Sequence, residues 1–157
     1  MFEIRLARRS DASLIAHMSG ELIESGLGWS WTQRRVLNSI NDRDTNVIVA
    51  THNDAIAGFA LLKYLEEHAH LLLFAVAPPM RRRGLGRMLW QWLKVTANVA
   101  GIRTVNLEVR AKNRGAREFY QVLGFVETET IRGYYRGIEP AVRMRASVSQ
   151  VAASDSR

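Results

Sequence analysis

The stretch that decides the fold is Leu71-Leu72-Leu73-Phe74-Ala75-Val76-Ala77-Pro78-Pro79-Met80-Arg81-Arg82-Arg83-Gly84-Leu85-Gly86-Arg87. It begins as an unbroken apolar run, the mark of a central strand buried on both faces. The Pro78-Pro79 pair stops that strand. Beyond the loop, Leu85, Met88, Leu89, Trp92, Leu93, Thr96 and Val99 recur at helical spacing, predicting a helix over Met88 to Ala100 that Gly101 ends. Between strand and helix lie consecutive arginines and two spaced glycines. The first amides of a helix have no partner within it and point at whatever stands before them, and glycine lets the backbone approach a ligand closely. Strand, basic glycine loop and helix start together form a cradle suited to a pyrophosphate.

Two phosphate-binding patterns fail against these letters. A P-loop requires Gly-Lys-Ser/Thr, but Gly86 is followed by Arg87-Met88. A dinucleotide fingerprint requires a third spaced glycine in an early βαβ unit, and position 89 is Leu.

Working outward, Phe2, Ile4 and Leu6 alternate with charged residues as in a first strand. Ser10 and Asp11 supply N-cap chemistry for a helix carrying Leu14, Ile15, Met18, Leu22 and Ile23. Gly26 and Gly28 break it, and Thr32 can cap a second helix with Val36, Leu37 and Ile40 on its apolar side. Val47 to Thr51 and Ile56 to Leu65 read as a hairpin around Asn53-Asp54. Glu66-Glu67-His68 marks another turn. Thr104 to Arg110 alternates, with Val105, Leu107 and Val109 facing one way and Asn106, Glu108 and Arg110 the other. Asn113 can cap a helix with Ala116, Phe119, Tyr120 and Leu123 on one stripe, ended by Gly124. Phe125 to Tyr134 and Val142 to Ala146 read as a closing hairpin around Gly137. The order β-α-α-β-β-β-α-β-α-β-β predicts an α/β fold. Its mixed, mostly antiparallel central sheet has about seven strands, with helices on both faces. Residues 1–146 form a single domain on this reading, and the small polar tail 147–157 is expected to be disordered.

The chain has 157 residues, 47% of them hydrophobic, enough for one real core. It has no cysteine, which excludes disulfides, thiolate metal sites and a cysteine nucleophile. Met1-Phe2-Glu3-Ile4-Arg5 carries an acid and lacks the apolar core of a signal peptide, and no apolar run is long enough to span a bilayer. A cytoplasmic protein with no membrane partner is expected. Net charge is +7, and of 22 basic residues only Lys63, Lys94 and Lys112 are lysines. Such a balance favours an anionic partner. The arginines form no long stripe with interleaved aromatics, so nucleic acid is disfavoured.

The chain resembles the GNAT acetyltransferase superfamily. Its Gln/Arg-x-x-Gly-x-Gly/Ala signature is matched by Arg81, Gly84 and Gly86, and the resemblance runs from about Phe2 to Ala146. Leu107-Glu108-Val109-Arg110, Asn113, Ala116 and Phe119-Tyr120-x-x-Leu123-Gly124-Phe125 resemble the ribosomal-protein alanine N-acetyltransferase branch. The resemblance implies an acetyl-CoA-dependent N-acetyltransferase that needs no metal. Partners would be acetyl-CoA and an amine acceptor, either a peptide N-terminus or a small molecule; a homodimer is compatible. A non-catalytic acyl-CoA sensor and a basic nucleic-acid-binding module are the rival classes.

The resemblance places the cofactor along Phe74, Ala75 and Val76 and over Arg81, Arg82, Arg83, Gly84, Leu85, Gly86 and Arg87, with Asn113 reaching it from the next helix. Phe74 to Val76 can equally be core, and Asn113 a simple cap. Glu108 is the candidate general base, the alternative being an ion pair with Arg110 or another arginine. Tyr120 is the candidate general acid, since a phenol with a pKa near 10 can protonate a departing thiolate; the alternative is a core tyrosine. His68 and His70 alternate beside Glu66 and Glu67, but two histidines without a third ligand make a poor metal set. Glu66 or His68 could instead help deprotonate the acceptor. Trp29 and Trp31, on a glycine-rich loop, either cap the core or line the acceptor pocket, with Tyr134 and Tyr135 as an opposite wall. Arg132 and Arg136 suggest a positive acceptor cleft, suited to an acidic peptide or a small amine bearing a carboxylate or phosphate.

Overall fold

A computed structural model describes residues 1–149. The elements are β1 (Glu3–Leu6), α1 (Ala12–Leu22), α2 (Gln33–Asn41), β2 (Thr45–His52), β3 (Ala55–Tyr64), β4 (His68–Val76), α3 (Leu85–Val99), β5 (Thr104–Arg110), α4 (Arg114–Val122), β6 (Val126–Tyr135) and β7 (Glu139–Ser147), with 3-10 turns at Arg9–Asp11 and Pro78–Met80. The hydrogen-bonded strand order is β1-β2-β3-β4-β5-β7-β6. The apolar strand β4 is the middle one. Its pairing with β5, His68↔Thr104 to His70↔Asn106, is parallel, whereas β1–β2, β2–β3, β5–β7 and β6–β7 are antiparallel.

The chain divides into two compact units. One comprises Met1–Lys63 and Leu71–Trp92; the other comprises Tyr64–His70 and the chain from Leu93 onward.

In the first unit, Ala12, Ile15 and Ala16 of α1 and Val36 of α2 bury against Val47, Val49, Phe59, Leu61, Leu73 and Ala75. The other face of β3 meets α3. A Cβ at Gly58 would stand 2.9 Å from the Ala75 carbonyl and 3.3 Å from a Leu89 methyl, so only glycine permits that approach. Thr32 caps α2 by accepting from the Arg35 amide at 3.2 Å. At the start of α1, Asp11 accepts the Arg8 amide at 2.7 Å and the Arg5 guanidinium at 2.8 Å. Burial pushes that carboxyl up, and these partners outweigh burial and hold it below its ordinary value.

In the second unit, strict alternation decides which face is apolar. Val105, Leu107 and Val109 of β5 and Val142, Met144 and Ala146 of β7 are buried. Gly101 (φ 84°) and Gly124 (φ 106°) end α3 and α4 in the left-handed conformation. Ser147 closes β7, and Val148 is buried with its amide donating to the Arg103 carbonyl at 2.9 Å. The folded chain therefore passes the expected boundary at Ala146. The rest of the expected tail, residues 150–157, lies outside the described residues. Among the described residues, no helix is long and apolar enough to cross a membrane.

Candidate active site

The loop before α3 is built from backbone strain and open donors. The Arg81 Nε donates to the Val76 carbonyl at 3.1 Å, folding the chain back on the end of β4. Arg82 (φ 64°) and Gly84 (φ 81°) adopt left-handed backbone. A non-glycine residue there is uncommon, and at Arg82 it marks local strain. The first helical hydrogen bond runs from the Met88 amide to the Gly84 carbonyl at 3.1 Å. Hence the Leu85, Gly86 and Arg87 amides precede any intrahelical acceptor. Among the described residues, amides 82–87 meet no backbone acceptor, and the Arg82, Arg83 and Arg87 guanidiniums have no hydrogen-bond or ion-pair partner. Positions 82–87 thus combine three guanidiniums with undirected N–H groups at the start of a fifteen-residue helix, which is the donor set a pyrophosphate needs.

Ala75 is a core residue, and Phe74 and Val76 are half-buried. Asn113 caps α4, its Oδ1 accepting from the Ala116 amide at 3.1 Å. The cap leaves the side-chain NH2 of Asn113 available to donate.

Glu108 stands on the polar face of β5 and is saturated. Its Oε1 meets His70 Nε2 at 2.5 Å and accepts the Tyr134 hydroxyl at 3.2 Å, while its Oε2 accepts from Arg143 Nε at 2.9 Å. Register explains two of these partners. Glu108 lies directly opposite Arg143 on β7, and the slant of the parallel β4–β5 pair brings His70 alongside. The Glu108 side chain is only 5% exposed. Burial pushes its carboxyl up, but the hydrogen bonds from His70, Arg143 and Tyr134 and the charge of His70 outweigh burial and hold it at about 2. An ionised carboxylate accepts only, so the His70 Nε2 carries the hydrogen, and Nδ1 presents a lone pair in the neutral form of the ring. Arg110, the nearest arginine in sequence, pairs instead with Glu139 at 2.6 Å. The partner of Glu108 is thus Arg143, which also bridges to Glu129 at 2.5 Å.

Three phenols gather in the same unit. Tyr134 and Tyr135 meet edge to face at 4.9 Å between ring centres, and Tyr120 packs edge-on against Phe125 at 5.6 Å. Burial pushes the Tyr120 phenol well above its ordinary value, and neighbouring Tyr135 adds to the rise. Tyr120 is therefore protonated across the working pH range.

The two tryptophans part company. Trp31 is 8% exposed and belongs to the apolar core, with the Arg35 guanidinium 3.7 Å over its ring. Its expected place in a pocket wall gives way to core packing. Trp29 is 56% exposed, with its indole N–H donating to the Ala16 carbonyl at 3.2 Å. The path between them is fixed by Glu24, a buried carboxylate that accepts from the Ser30 amide and hydroxyl and from the Trp31 amide.

The sequence reading missed His70 and Arg143 as partners of Glu108. One signal was available for His70: it is a polar residue at an alternate position of an otherwise apolar strand.

The geometry has relatives. The Acetyltransferase (GNAT) family model matches residues 15–125, and the chain belongs to that family; it is an N-acetyltransferase. The "[Ribosomal protein bS18]-alanine N-acetyltransferase" of Salmonella typhimurium is 36% identical over 122 residues, 76% of this chain and 82% of the relative. The crystal structure of the ribosomal-protein-S18-alanine N-acetyltransferase from Escherichia coli superposes with a TM-score of 0.82 at 29% identity, covering 95% of both chains. The fold is shared by the PaiA N-acetyltransferase of Thermoplasma acidophilum, solved with coenzyme A (TM-score 0.79, 21% identity, 94% of this chain and 99% of that one).

Proposed function

We propose that the protein transfers the acetyl group of acetyl-CoA to the α-amine of a peptide or protein N-terminus. The observation that carries the mechanism is the His70–Glu108 pair at 2.5 Å. The donor supplies the thioester. Amides 82–87 and the Arg81, Arg82, Arg83 and Arg87 side chains would hold its phosphates, the backbone of Phe74 to Val76 its pantetheine arm, and Asn113 would donate from its free NH2. The activity of the Salmonella relative, on an alanine of a ribosomal protein, supports a protein amine as acceptor.

An α-ammonium has a pKa near 8. A carboxyl held at about 2 is a weak proton acceptor, and both Glu108 oxygens are already engaged. The reading of Glu108 as a direct base is therefore refined. Glu108 orients His70 through Nε2, and His70 Nδ1 takes the proton, directly or through water. As the amine nitrogen bonds to the carbonyl carbon, the C–S bond breaks. One ammonium proton is lost to solvent before attack, the second goes to His70 as the C–N bond forms, and the thiolate takes a proton from the Tyr120 hydroxyl, which solvent then restores.

Thiol release from acetyl-CoA, measured against a mixed library of small amines and peptide N-termini, tests this reading. Turnover with peptides is the expected result. Tight acetyl-CoA binding without thiol release in any mixture would replace it with a non-catalytic sensor.

A further inference from the structure

The polar face of β5 continues past Glu108 into an open cavity of about 330 Å³, lined by Glu67, His68, Arg103, Thr104, Asn106 and Arg145. All six residues lie in the second unit with Glu108. Register sets the spacing. Asn106 lies one alternate step from Glu108 on the same face, and Thr104 lies two steps away, so the cavity begins roughly 7 Å from Glu108 and reaches roughly 13 Å.

Arg145 stands opposite Asn106 on β7, and its Nε donates to Asn106 Oδ1 at 2.9 Å. That bond fixes the guanidinium and leaves its terminal N–H groups free to donate. Arg103 is anchored through its backbone. Its amide donates to the Glu67 carbonyl at 2.7 Å, and its carbonyl accepts from Val148 at 2.9 Å. Among the described residues, its side chain has no hydrogen-bond or ion-pair partner.

The contrast with Arg143 is informative. Arg143 stands one alternate step along β7 and binds two carboxylates, whereas the cavity's two arginines bind none among the described residues. Glu67 also lines the cavity and pairs with neither guanidinium. Two guanidiniums, that of Arg145 held by Asn106, against one anion leave room for a single incoming carboxylate.

We propose that this cavity is an acceptor subsite for a carboxylate side chain two to four residues after the acetylated amine. The protein would thus select acidic N-termini. An extended chain advances at most about 3.5 Å per residue. With the amine at the His70–Glu108 pair, the third to fifth residues of the acceptor would reach the cavity. Bidentate guanidinium–carboxylate pairing would then read the charge. This inference rests on the peptide-acceptor reading above and places the selecting cations at Arg103 and Arg145, away from the sequence-based candidates Arg132 and Arg136.

The test uses the full chain and two hexapeptides, Ala-Glu-Glu-Glu-Trp-Gly and Ala-Gln-Gln-Gln-Trp-Gly. Two quantities are measured for each: kcat/KM by thiol release, and Kd by fluorescence with CoA present. Wild-type protein is expected to favour the acidic peptide about tenfold, mainly through KM and Kd. In the Arg103→Gln/Arg145→Gln double variant the acidic-to-neutral ratio should fall to about one. In an Arg103→Glu/Arg145→Glu variant a Lys-substituted peptide should become the preferred one. Because each ratio is taken within one variant, a general loss of activity cannot imitate the result. A binding preference without any thiol release would keep the subsite and overturn the acetyl-transfer reading instead. Equal binding of both peptides by wild type, or a preference that survives in the double variant, would overturn the subsite.

Discussion

The loop before α3 and the carboxylate on β5 are both polar sites, but they stand in opposite states. In the loop, a run of backbone amides and three guanidiniums have no partner among the described residues. At Glu108, both oxygens are taken by three donors and the side chain is 5% exposed. An open donor set is completed by a ligand that brings acceptors of its own. A buried carboxylate with both oxygens already engaged has little capacity left for a ligand and serves to keep a charge in one place. On the mechanism proposed above, the difference divides the labour: the loop would hold the donor's phosphates, and Glu108 would hold His70 as the proton acceptor.

The largest effect should come from breaking the saturated cluster. His70→Gln and Glu108→Gln should each lower kcat about a hundredfold, within the range of general-base removal. The double variant should be no worse than the poorer single one, because the two residues act as a unit. Steady-state kcat of the four proteins checks this. Full activity in His70→Gln would return the base to Glu108 or to solvent. Acetyl-CoA KM should stay within about twofold in all of them, since the loop is untouched. Tyr120→Phe comes next, with kcat at least tenfold lower and an unchanged far-UV circular dichroism spectrum. Undiminished turnover would make Tyr120 a core tyrosine.

Local signals made most of the fold legible. Thr104 to Arg110 reads as a strand from alternation alone and folds as one, end for end. Thr32 and Asn113 cap the helices that their side chains promise, and the glycines at 101 and 124 take the backbone that only glycine takes cheaply. What escaped was long-range. His70 lies 38 residues from Glu108 and Arg143 lies 35 residues from it, joined by sheet register that no local pattern encodes. The fates of Trp29 and Trp31 were equally hidden. Either indole satisfies both the core and the surface reading, and the choice depends on Glu24, whose position at the end of α1 carries no sequence signal of a buried carboxylate.

The open loop should fail in a different parameter. The Arg82→Ala/Arg83→Ala/Arg87→Ala triple variant is expected to raise the acetyl-CoA KM five- to tenfold, with kcat little changed. The wild-type KM should rise with salt while that of the variant stays flatter, because exposed charges are screened. Initial rates over a range of acetyl-CoA and potassium chloride concentrations measure both. A loss confined to kcat would mean that the loop positions reacting groups rather than phosphates.

The smallest effect is thermodynamic and belongs to the saturated site. In the folded protein the Glu108 carboxyl is held at about 2, whereas an unfolded glutamate titrates near 4.3. Its folded pKa is depressed, so the stabilisation is fully present above about pH 4.3 and is lost as pH falls towards 2. Within that window the unfolded state binds more protons, and one such group contributes a slope of up to about 1.4 kcal/mol per pH unit. Urea unfolding at intervals from pH 6 to 3 should therefore show the wild type losing more stability than Glu108→Gln, by about 1.7 kcal/mol at pH 3. Above pH 5 the gap between the two proteins should be constant. The same logic bounds the rate profile, because a limb belonging to Glu108 would lie near pH 2. Any acidic limb seen above pH 5 belongs to a group other than Glu108.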